Sequence, residues 1–270
     1  MKIDRVAALV GKELREFRAS PTAVLPVAIL MIVSMLLPFI VLYAIPRLTG
    51  ESLTSDRSLQ QVVTAARTRL PGLASLGAEE ATQSFFLQQF MLLFLIAPIV
   101  GAVSLAAYSV VGEKQGRTLE PLLATPMSTA ELLVAKVVAS FLPALAAEVI
   151  GVAGFFALVS AFGSRDLFHS LLTLRTAILL GIVGPFGALA ALQATIAVSS
   201  RVNDPRSAQQ IAILLVLPIV IMLVGQIAGA FFLTVPMLLA VAVVTAGMWV
   251  LLILLSVALF ERETILTRWK

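Results

Sequence analysis

Cysteine is absent from the 270 residues and histidine occurs once, at His169. No cysteine means no disulfide, no thiol nucleophile and no Cys-based metal site. A lone histidine with no second His and no Cys nearby argues against a metal centre and reads as an exposed loop residue. Charge is scarce too: Asp, Glu, Lys and Arg make up 13% of the chain against 60% hydrophobic residues, with a mean hydropathy of +1.03. A soluble domain could not hide that apolar fraction, so the chain is read as an integral membrane protein. Catalytic signatures are missing as well. There is no Gly-rich run ending in Gly-Lys-Ser/Thr, so the chain does not hydrolyse ATP by that route, and neither a His-Glu-x-x-His metal motif nor a Gly-x-Ser-x-Gly elbow occurs. Ser104 or Ser140 with Glu148 would be the arithmetic minimum for an intramembrane hydrolase, but no motif supports it.

What the chain does have is apolar length. Six segments each supply the ~20 apolar residues a spanning helix needs: 21–45, 85–111, 132–162, 171–198, 211–233 and 237–260. Their continuous apolar runs, rather than alternating ones, exclude a barrel. The expected fold is all-α, with six transmembrane helices, an amphipathic interfacial helix over 1–20, an external loop over 46–84 and a cytoplasmic loop over 112–131. The net charge of +4 raises nucleic acid as a partner, but the basic residues sit at segment ends and form no basic domain. With both termini cytoplasmic, 13 Lys or Arg fall inside and six outside, which favours that orientation. The first apolar run is longer than a signal-peptide core and lacks a convincing cleavage site, so it is read as a retained helix.

Taken in order, Ile3, Val6, Ala7, Val10, Leu14 and Phe17 recur at helical spacing, with Lys2, Arg5, Lys12, Glu13, Arg15 and Glu16 on the other side. This is a helix that can lie in the membrane interface. In the external interval, Leu59, Val62, Val63, Ala66 and Leu70 share one face, which predicts a surface helix over 56–70 ended by Pro71-Gly72. Pro98 is expected to kink the second span and Pro185 to bend the fourth. Glu148 lies about 25 Å along the third helix from Glu131 by rise per residue, in the outer part of the span. An intramembrane carboxylate needs a partner, and Arg175 is the expected one, in a structural ion pair or in a substrate or gating role. Gly225 and Gly229 form a small-xxx-small pair that offers weak support for a dimer face.

The interval GEKQGRTLEPLLATPMSTAELLVAK, 112–136, is the longest polar-containing stretch between two apolar segments. Gly116 lets the chain turn as it leaves hydrocarbon. Leu119, Leu122 and Leu123 then share one face of a short helix closed by Thr125-Pro126. Ser128-Thr129-Ala130-Glu131 is a capping box that starts the next helix. By charge and apolarity alone this is equally an ordinary loop between two membrane helices. The ordered run of Gly-Arg-Thr-Leu-Glu, Leu-Leu, Thr-Pro-Met-Ser, Glu-Leu-Leu and Lys, however, resembles the cytoplasmic loop of type-2 ABC transporter permeases. Lys12-Glu13-Leu14-Arg15 before Ser20-Pro21, and the charged exit Phe260-Glu261-Arg262-Glu263, are similar to the same family's opening and ending.

The resemblance implies a permease subunit of an ATP-driven ABC transporter, an exporter for want of an external receptor domain. It would form its pathway with a second permease subunit, identical or similar, in the cell membrane. The loop would carry the coupling helix that docks on separate ABC ATPase subunits, with Leu119, Leu122 and Leu123 as buried docking surface and Glu113, Arg117 and Glu120 as rim charges. This chain would bind no cofactor of its own; ATP and Mg would sit on the partner ATPase. The rival readings are an ion-gradient-driven secondary transporter, which should show paired midplane carboxylates or an inverted repeat, an intramembrane hydrolase, and a membrane scaffold.

Overall fold

The computed structural model describes residues 3–19, 21–50, 57–115, 128–199, 210, 214 and 216–259. Among these there is no strand. The chain opens with α1 (Ile3–Ala19) and rises through α2 (Pro21–Phe39), a π-helical turn Ile40–Ala44 and α3 (Ile45–Thr49). At the far end lie α4 (Arg57–Arg69) and α5 (Pro71–Ala74); α6 (Ala78–Phe90) and α7 (Leu93–Gln115) then descend toward α1. The long α8 (Thr129–Phe162) returns to the far end, followed by α9 (Arg165–Leu171) and α10 (Leu174–Ile178). A second π-helical turn, Leu179–Val183, leads into α11 (Gly184–Ser199), and α12 (Leu217–Ile227) and α13 (Val235–Leu259) complete the bundle.

Among the described residues, five helical runs are long and apolar enough to cross a membrane: Val24–Thr49, Ala78–Ser109, Ala130–Phe162, Leu174–Ser199 and Val235–Ser256. The protein is a multi-pass membrane protein. The fifth expected segment, 211–233, is described only in part, and its regular helix α12 has 11 residues, about 17 Å at the helical rise. Within the Ala78–Ser109 run, 78% of the apolar window is buried inside the chain, against 17% in the first run and 11% in the last. It is therefore the central helix, packed on α2, α8 and α11. It starts at Ala78, earlier than the 85 expected from hydropathy, because Thr82, Ser84, Gln88 and Gln89 are buried against other helices rather than exposed to lipid.

The irregularities follow proline chemistry only in part. In the second span the helix breaks at Met91-Leu92, not at Pro98, with tightened bonds from the Phe94 and Leu95 amides to the Met91 and Leu92 carbonyls. Pro98 stays inside α7, one turn beyond the break. Each π-helical turn, by contrast, closes one residue before a proline. The Ile45 amide bonds Ile40 O before Pro46, and the Gly184 amide bonds Leu179 O before Pro185. Proline offers no N–H to the preceding turn, and the wider turn absorbs the mismatch where no water can.

Two large apolar cores stack along the bundle. The far-end core gathers Phe85, Phe94, Phe155, Leu167 and Leu171, with Val63, Ala66 and Leu70 packed in from α4 and its end. The helix expected at 56–70 thus lies on the bundle. The α1-end core holds Ile99, Ala102, Val103, Ala188 and Leu192. Two small clusters fasten α1 itself: Val6 and Leu9 against Leu132 and Ala135, and Phe17 against Leu105 and Ala139. Gly225 and Gly229 serve internal packing. A Cβ at Gly225 would meet the Phe231 ring at 2.5 Å, and Gly229, at φ +70°, lies against Val62.

A buried ionic junction beside the 112–131 loop

The third helix starts where its capping box places it. The Ser128 hydroxyl accepts from the Glu131 amide at 3.2 Å, and the Ser128 amide donates to Glu131 Oε2 at 2.9 Å. Two turns further on, Lys136 points into the protein and is 1% exposed. Its ammonium lies 3.1 Å from Glu13 Oε1 and 2.8 Å from Glu113 Oε2. It also donates to Ser109 Oγ at 2.8 Å and to Ser109 O at 3.1 Å. Glu113 in turn reaches Lys12 Nζ at 3.2 Å, and Lys12 sits 3.5 Å from Glu16.

Three elements far apart in sequence meet at this point: α1 through Lys12 and Glu13, the end of α7 through Ser109 and Glu113, and the start of α8 through Lys136. Glu13 and Glu113 are 1% and 6% exposed, so Lys136 is desolvated together with both its carboxylates. Such a buried group is held only because opposite charges and hydrogen bonds fill its coordination. Burial alone pulls the Lys12 ammonium down; the Glu113 carboxylate beside it, with Glu16 and Glu13 behind, outweighs that and holds it above the ordinary lysine value of 10.5.

Helical periodicity had placed Glu13 on the polar side of α1. It is instead on the buried stripe with Val6, Leu9 and Phe17, four residues from both Leu9 and Phe17. The available signal was a carboxylate in register with an apolar stripe, and the tertiary structure supplies its counter-ion. Lys136, counted in the sequence as one more charge on the cytoplasmic side, is that counter-ion. Glu113, expected as a rim charge of the coupling loop, is committed to Lys136 and Lys12. Arg117, Leu119, Glu120, Leu122 and Leu123 lie outside the described residues.

The expected pair of Glu148 with Arg175 is not formed. Arg175 donates through Nη1 to Gln88 Oε1 at 2.7 Å and through Nη2 to Gln226 Oε1 at 2.9 Å. Gln226 Oε1 also accepts from the Leu233 amide at 3.3 Å. Glu148, 3% exposed, has no hydrogen-bond partner among the described residues and lies over Gly184, where an added Cβ would come within 2.6 Å of Oε1. Arg175 and Gly184 are nine residues apart, about 13 Å along the helical path, so the carboxyl sits too deep for the guanidinium. His169 is exposed at the end of α9, whose first turn is capped by Ser164.

No curated protein and no solved structure matches the chain. A family model described as ABC-2 family transporter protein matches residues 7–241, which takes in α1, the loop beside the junction, α12 and the start of α13. The chain belongs to the ABC-2 family of transporter proteins, as a membrane permease subunit.

Proposed function

We propose that this permease is the pathway-forming half of an ATP-driven exporter, paired with a second identical or similar permease chain and driven by separate ABC ATPase subunits. ATP and Mg²⁺ are handled by those subunits. The observation that carries the reading is the Lys136 junction. The 112–131 loop, whose 117–123 stretch is expected to dock on the ATPase, joins α7 to α8, and Lys136 ties both helices to α1 within one ionic cluster. A push on the loop is then delivered to three helices together, as a rigid-body switch biased by nucleotide requires. Both termini lie in the cytoplasm on this reading, at the cell membrane, and the chain crosses six times. Support for the fifth crossing comes from its contacts: Val216 and Ile219 pack against the α1-end core while Gln226 reaches Arg175 at the far end.

The test is co-purification with candidate ATPase subunits in detergent, comparing wild type with a Leu119→Glu, Leu122→Glu double variant. Expected is an ATPase that co-elutes with wild type and is lost from a variant that still elutes as a folded protein. Co-elution indifferent to the substitution, or no ATPase partner at all, overturns the coupling assignment. Glu148, buried without a partner, favours the secondary-transporter reading next; that reading requires transport to persist without any ATPase and to stop in Glu148→Gln.

A further inference from the structure

A cavity of about 700 Å³ opens between α1, α2 and α8. Its body is apolar: Val24, Val27 and Met31 of α2 face Leu142, Ala147 and Ile150 of α8. Leu105 of α7 also lines it, and Gly101, one turn away, lets α7 approach Val27 and Ala144, which a Cβ there would meet at 3.2 and 3.4 Å. Only the mouth is charged. It carries Arg15 and Arg18 of α1, neither of which has a carboxylate partner among the described residues.

The charge pattern of α1 explains why these two cations are left over. Glu13 is turned inward to Lys136, and Glu16 lies beside Lys12 on the flank of the junction. Arg15 spends its Nε on the Gly11 carbonyl at 3.1 Å, which fixes the side chain along the helix. From Leu142 to Ile150 the groove extends about 12 Å at the helical rise, close to the depth of one leaflet of a ~30 Å hydrocarbon core. An apolar slot of one-leaflet depth, with two cations at its interfacial end that have no carboxylate partner among the described residues, fits a phospholipid with an anionic headgroup.

We propose that this groove is a site for an anionic phospholipid, with an acyl chain between α2 and α8 and its phosphate on Arg15 and Arg18. The lipid fills the side of α1 that the protein leaves open, so α1 is fastened by Lys136 on one flank and by lipid on the other. Which leaflet supplies it rests on the orientation proposed above; the chemistry of the site does not.

The test is lipid retention by the full chain. Protein delipidated in detergent is incubated with mixed micelles of equal phosphatidylglycerol and phosphatidylcholine, repurified, and its bound lipid measured by mass spectrometry. Wild type should retain phosphatidylglycerol in preference to phosphatidylcholine. Arg15→Gln, Arg18→Gln should lower phosphatidylglycerol retention by about thirtyfold, from the loss of two interfacial cations, without changing phosphatidylcholine. Ala147→Phe, which fills the slot, should lower both, while Arg165→Gln at the far end should change neither. Equal retention of the two lipids by wild type overturns the proposal, as does undiminished phosphatidylglycerol on the double arginine variant. Displacement by inorganic phosphate alone would reduce the site to an anion contact and overturn it equally. ATPase co-elution read from the same preparations separates a failure of the groove from a failure of the transporter reading.

Discussion

Lys136 and Arg175 are both cations drawn into the bundle between three helical elements, but Lys136 is answered by two carboxylates and Arg175 by two neutral amide oxygens. At the α1 end, opposite charges cancel inside the protein, and removing either sign leaves an uncompensated buried ion. At the far end, the guanidinium is held by dipoles from Gln88 and Gln226, and Gln88 leans in turn on Ser84 Oγ and the Ser170 carbonyl. Hydrogen bonds from a cation to neutral oxygens are worth about 1.5–3 kcal/mol each, less than the cost of stranding a buried ion. On the function proposed above, the contrast suits a machine that is pushed at one end and rearranges at the other. A lever must stay rigid, and an ionic knot of three elements is costly to loosen. An outer polar network built on amides can re-pair at small cost.

The largest expected effect comes from breaking the knot. Lys136→Met leaves Glu13 buried without its counter-ion and Glu113 with Lys12 alone, and should cost about 3–5 kcal/mol, read as a lowered unfolding midpoint in detergent. Adding Glu13→Gln and Glu113→Gln should recover much of the loss, since the neutral site no longer demands a cation. A single variant as stable as wild type would remove the contrast between the two ends. At the far end, Gln226→Leu deprives both Arg175 and the Leu233 amide of an acceptor and should cost about 1–3 kcal/mol by the same measurement. If this substitution is as damaging as Lys136→Met, the far end is no softer than the junction.

The smallest effect is a pH dependence confined to the junction. The folded Lys12 is raised above its ordinary 10.5, so its contribution is fully present below that pH and is lost as pH rises through the folded value. The side chain is partly exposed and screened. Thermal unfolding of wild type should therefore weaken slightly more than that of Lys12→Met on going into this alkaline window. Parallel curves for the two proteins would assign Lys12 no part in the knot.

Much of the fold was legible because lipid imposes simple rules. Apolar length marked the spans, and the capping box at Ser128 and Glu131 marked the start of α8 to the residue. The five-position face from Leu59 to Leu70 marked α4. Three misses share a cause, which polar group meets which. Hydropathy put the second span at 85 because it cannot see that Ser84 and Gln88 find partners on α9 and α10. Periodicity put Glu13 outside because it had no record of Lys136, 123 residues away. The Glu148–Arg175 pairing failed because depth along two different helices, with an intervening π-helical turn, is not a function of residue number.

By itself the sequence determined that this is a multi-pass helical membrane protein, where the third span begins, and through the 112–136 run the family it resembles. These are consequences of local chemistry: backbone groups in lipid must bond within their own segment, so length and hydrophobicity suffice to place helices. Only the tertiary structure decided that Lys136 is the hub of the α1 end, that Arg175 is shared between glutamines, and that Arg15 and Arg18 border an apolar groove. Charge compensation depends on distances between segments far apart in the chain, and those distances exist only once the helices have packed.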